Sequence, residues 1–87
     1  MYVNIEEIKK LPPEEAIVIL DKFISENPDR EDAYVLRGLK HWTLGRRREA
    51  INDYLEALKL NPESEAKTAL EYANSILEFF SKDLLNP

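Results

Sequence analysis

The chain copies itself at an offset of 34 residues. Glu15-Ala16-Ile17, Leu20, Phe23, Ile24 and Asn27-Pro28 recur as Glu49-Ala50-Ile51, Tyr54, Ala57, Leu58 and Asn61-Pro62. Five of these positions are identical, and the apolar spacing is the same in both copies. A period of roughly 20–50 residues marks a stacked repeat, in which each unit has an apolar face that it cannot bury alone. The chain must therefore build its core between units rather than around one centre.

The spacing within each copy is helical. Ala16, Ile17, Leu20, Phe23 and Ile24 form an i, i+1, i+4, i+7, i+8 stripe. Pro13 suits the first turn of that helix, Glu14 and Glu15 complement its N-terminal dipole, and Asn27-Pro28 ends it. Before it, Asn4-x-x-Glu7 reads as a capping box for a short first helix carrying Ile5, Ile8 and Leu11, stopped by Pro12-Pro13. A third helix starts near Asp29 to Glu31, with Asp29 as the expected N-cap, and runs to Leu44, where Gly45 supplies the break. The fourth spans about Arg46 to Leu60. The fifth starts near Glu63 or Ser64 and carries Ala66, Ala69, Leu70, Ala73, Ile76, Leu77 and Phe80, and Ser81 to Pro87 reads as a tail. No segment has a strand period. The short connections make consecutive helices antiparallel neighbours.

Composition narrows the function classes. A chain of 87 residues is one small domain, with 44% hydrophobic and 33% charged residues as in a folded globular protein. A formal charge of −5 argues against a nucleic-acid or anionic-membrane binder, whose footprint is basic. The chain has no cysteine, so it has no disulfide framework and no thiolate nucleophile or metal site. The start lacks a signal-peptide pattern, and no apolar run reaches the ~18 residues of a membrane span. The expected compartment is the cytoplasm. His41 is the single histidine. It falls on the face turned to the fourth helix and reads as a core residue. No cofactor motif or catalytic constellation is present in the sequence, and the reading is non-catalytic.

Residues 31–64 form one complete unit, carried by Tyr34, Gly38, Leu44-Gly45, Ala50-Ile51, Tyr54, Ala57-Leu58 and Asn61-Pro62. This unit resembles a tetratricopeptide repeat. Gly38 and Ala50 are small, so two antiparallel helices can cross closely, and Tyr34 and Tyr54 fill the space around the crossing. Residues 1–30 resemble a degraded copy. Its first helix aligns only if the turn loses one residue, which sets Ile8, Leu11 and Ile5 against His41, Leu44 and Gly38. Residues 65–80 resemble the first helix of a third copy, here a capping helix, followed by the tail 81–87. The resemblance covers about two and a half repeats. It implies an all-α fold of five helices, in antiparallel helix–turn–helix units forming a short right-handed superhelix whose first helices line a concave groove.

By that resemblance Val35, Leu39 and Trp42 of the third helix and Ala69, Ala73 and Ile76 of the fifth face the groove. They would make an apolar strip for a peptide or helix of a partner protein, with Trp42 as the anchor type. The opposing reading has the strip covered by the chain's own first helix or tail. Some family members clamp a peptide's terminal carboxylate with Lys, Asn and Arg; the matching places here hold Asp32, Val35, Leu36, Leu39, Ala66, Ala69, Leu70 and Ala73, which cannot donate to a carboxylate. Arg46-Arg47-Arg48, with Arg37 and Lys40, is a basic cluster that reads as solvated surface. Val18 and Ile19 stand where the second copy has Asn52 and Asp53, positions expected to face outward. Apolar residues there suggest a cover. Tyr72 and Phe79, on the uncapped side of the fifth helix, raise the same question. Self-association as a homodimer through Val18, Ile19, Tyr72 and Phe79 is the alternative to a peptide groove.

Overall fold

The structure is a computed structural model that describes the backbone of residues 4–85 and the side chains of residues 4–76. Among the described residues every regular element is an α-helix: α1 Ile5–Lys9, α2 Pro13–Glu26, α3 Glu31–Thr43, α4 Arg47–Leu60 and α5 Ala66–Leu85. Each helix packs on its neighbours in sequence, and α1 also rests on α3.

The apolar stripe of α2 is buried along its whole length, from Ala16 to Ile24. It meets Ala33, Tyr34, Val35 and Leu36 of α3, and Ala50, Tyr54 and Ala57 of α4 continue the same core. The α3–α4 crossing is close. A methyl group at Gly38 would sit 2.5 Å from Cε1 of Tyr54, 2.8 Å from its Cδ1 and 3.2 Å from the carbonyl oxygen of Ala50. Only a residue without a side chain lets that ring lie there. Gly45 turns the chain with φ of 79°, a conformation costly for other residues.

Several boundaries differ from the sequence expectation, each for a local reason. Asp29 does not cap α3. Arg30 holds that position without a side-chain cap bond. Asp32 instead takes the helix-start role, accepting from the Ala33 amide (2.9 Å) and from Arg30 through Nε and Nη2 (3.0 and 2.8 Å). The Asn4 side chain caps α1 by accepting from the Glu6 amide at 2.9 Å. The fifth helix begins at Ala66, because the hydroxyl of buried Ser64 accepts from the Ala66 amide at 3.1 Å. Ser64 also donates to the Glu31 carboxylate, tying the start of α5 to the start of α3. At the other end α5 continues to Leu85, through positions expected to form a tail.

The expectation that Asp53 faces outward is wrong. Asp53 is only 4% exposed. Arg37 donates to it through Nε and Nη2 at 2.9 and 2.8 Å, and through Nη1 to Asp21 at 2.9 Å, so one guanidinium joins α2, α3 and α4. Lys40 has a comparable role. Its ammonium donates to the carbonyls of Lys9 (2.8 Å) and Leu11 (3.0 Å), which lie at and just beyond the open end of α1. Neither residue belongs to a free basic cluster.

Candidate protein-binding groove

Helices α1, α3 and α5 share one face. Two adjoining hollows lie along it. The larger, about 890 Å³, has Ile5, Phe23, Val35, Leu36 and Leu39 among its lining residues. The smaller, about 400 Å³, is lined by Val35, Leu39, Glu65, Thr68 and Ala69. Val35 and Leu39 belong to both. Val35 is nearly covered, whereas Leu39 is 44% exposed. Leu39 is thus the main apolar side chain offered where the hollows join.

The expected six-residue strip divides at this point. Val35, Leu39 and Ala69 come together around the smaller hollow. Trp42, Ala73 and Ile76 do not line it. Ala73 is buried, and Ile76 and Trp42 are half-buried. Trp42 already has partners from its own chain: the Arg47 guanidinium lies 5.1 Å from its ring centroid, and Tyr72 meets it edge-on at 6.2 Å. A cation over an indole contributes about 0.5–1 kcal/mol at an exposed site. Arg47, Trp42 and Tyr72 therefore form a wall at one end of the face. Tyr72, expected on the uncapped side of α5, meets Trp42 and keeps 60% of its surface exposed.

The remaining self-association candidates are placed as follows. Val18 is 70% exposed and Ile19 38% exposed on α2. Phe79 lies outside the residues whose side chains are described. Arg46, Arg47 and Arg48 are exposed, with Arg47 occupied by Trp42. His41 lies between α3 and α4, with Nε2 3.9 Å from an Asp53 oxygen and Nδ1 buried without a hydrogen bond. Among the described residues no group of three or more His, Cys, Asp or Glu is arranged to hold a metal ion, and no helix is long and apolar enough to cross a membrane.

Sequence reasoning missed four residues that tie the helices together: Lys40, Asp53, Ser64 and Arg37 in its linking role. A signal for one pair was present. Arg37 and Asp53 immediately precede Gly38 and Tyr54, so residues that flank a close crossing on two helices come into reach of one another.

A helical face with paired helices, a glycine-dependent crossing and an open apolar trough defines a helical-repeat module. The family follows from the central unit. Residues 31–64 match the family model of the tetratricopeptide repeat, so the chain carries a repeat of that family, formed by α3, the Gly45 turn, α4 and the Asn61-Pro62 turn. Comparison with curated proteins and with solved structures gives no match. Repeats of this family generally mediate protein–protein interactions as non-catalytic modules.

Proposed function

We propose that this chain is a protein-interaction module that receives a segment of a partner protein in the trough along α1, α3 and α5. The observation that carries this reading is Leu39, held half-exposed between two hollows with Val35 and Ala69 beside it. An apolar side chain of a bound helix would enter there, and Trp42, Ala73 and Ile76 would serve as wall and support rather than as contact floor. The charge of −5 favours a protein partner over nucleic acid or an anionic membrane, and the cytoplasm is the proposed compartment. The test compares Leu39→Asp with wild type. Leu39→Asp keeps the helical circular dichroism and abolishes the Trp42 fluorescence change caused by an amphipathic peptide. An unaltered change in the variant refutes the site.

Self-association is the second reading, favoured by Val18 at 70% exposure on a helix whose other apolar residues are mostly buried. Under it, light scattering gives a dimer mass that Val18→Glu returns to a monomer. A monomer mass for wild type at high protein concentration removes this reading.

A further inference from the structure

The rim of the larger hollow has a charge pattern that the apolar floor alone does not explain. Six carboxylates and two cations line this hollow, four negative charges in excess, against a formal −5 for the entire chain. The two cations are spoken for by acids of the same rim: Lys9 lies 3.1 Å from Glu6, and Arg30 2.8 Å from Asp32. The four other carboxylates come from three places in the fold. Glu26 ends α2, Glu31 starts α3, and Glu63 and Glu65 lie in the turn before α5.

Helix dipoles account for part of this and not for the rest. Glu31 lies in the first turn of α3, and Glu63 and Glu65 precede α5, where negative charge is favourable. Glu26 is the last residue of α2, at the negative end of that helix, with no basic residue in the last turn to offset it. Its placement costs stability in the isolated chain. Together the four acids ring a floor made by Ile5, Phe23, Val35 and Leu39. Building on the trough as a partner site, we infer that its occupant is a helical protein segment with apolar anchors flanked by lysine or arginine. The anchors fill the floor beside Leu39, and the flanking cations meet Glu26, Glu63 and Glu65. Such rim contacts steer association and make it sensitive to salt.

The test uses two synthetic helices with the same leucine face, one flanked by lysines and its twin by glutamates, titrated calorimetrically into the full chain. The lysine helix is expected to bind more tightly than the twin and to weaken as salt rises. Glu26→Gln/Glu63→Gln/Glu65→Gln should weaken it about tenfold, the sum expected of three exposed pairs at roughly 0.5 kcal/mol each. Glu14→Gln/Glu15→Gln, an equally exposed neutralisation away from the hollow, should leave the affinity unchanged. Equal binding of both helices, abolished by Leu39→Asp, overturns the basic partner and keeps the trough. Binding of the lysine helix that neither the rim variant nor Leu39→Asp reduces, or no binding of either helix, overturns both.

Discussion

The α3–α4 pair and the α1–α2 pair are two versions of one design, and they are held together differently. In α3–α4 the crossing is steric: Gly38 leaves room for the Tyr54 ring, and Arg37 locks onto buried Asp53 beside it. In α1–α2 the corresponding position is Ile5, which is only half-buried, and α1 is five residues long with Ile8 as its buried side chain. Its end is held by Lys40, a residue of the next unit. The complete repeat is thus self-consistent, whereas the degraded one leans on it. A helix of one or two turns has too few internal hydrogen bonds to persist alone, so its order must come from such tertiary contacts.

The two pairs differ most at the crossing. Ala50→Leu forces a larger side chain against Gly38 and Tyr54 and should cost about 3 kcal/mol by thermal or urea unfolding, at the upper part of the overpacking range. A neutral result means that the helices do not cross as described. Asp53→Ala leaves the Arg37 guanidinium mostly buried, with Asp21 as its remaining carboxylate partner and the Tyr34 ring centroid 5.7 Å away. The expected loss is about 2 kcal/mol, below the ~3–5 kcal/mol of a fully buried broken pair because Arg37 keeps some contact with water. Arg37→Met/Asp53→Leu should recover most of that loss, since replacing both partners removes the stranded charge. Lys40→Met removes the donor at the end of α1 and should cost about 1 kcal/mol. Its sharper signature is local: amide hydrogen exchange should accelerate in α1 and stay slow in α3 and α4.

The smallest effect is at high pH. Burial, with the charge of Asp53 second, raises the Tyr54 phenol above its ordinary value of 10.0. A group whose folded value is raised holds its proton more tightly when folded. Its stabilising effect is therefore complete below the unfolded value and is lost as pH rises through the folded one. Stability should decline above about pH 10 more steeply in wild type than in Tyr54→Phe. Equal alkaline slopes would show that the phenol does not contribute. Asp32 acts at the other extreme: the hydrogen bond from Arg30 lowers its value below 3.8, so its contribution is present at neutral pH and is lost only in strong acid.

The helices and most of the core were legible because apolar periodicity and the Pro and Gly breaks act locally. Gly38 was legible because two small residues, Gly38 and Ala50, on consecutive antiparallel helices imply close approach. The polar ties were not. Asp53 is a carboxylate next to Asn52 at positions expected to face outward, although its burial is set by Arg37 on a different helix. Lys40 looked like one of several exposed cations, because its partners are backbone carbonyls, which carry no sequence signal. The groove was half legible. Val35, Leu39 and Ala69 meet as the repeat logic implies, but whether a large ring lines a groove or closes it depends on neighbours such as Arg47 and Tyr72.

The central claim is that the partner face is the trough and not the outer face of α2. Amide chemical-shift mapping during titration with the lysine-flanked helix tests it most directly. The largest shifts are expected at Val35, Leu39, Glu65 and Ala69, with Val18 and Ile19 unmoved. Shifts centred on Val18 and Ile19, or spread evenly over the surface, would contradict it.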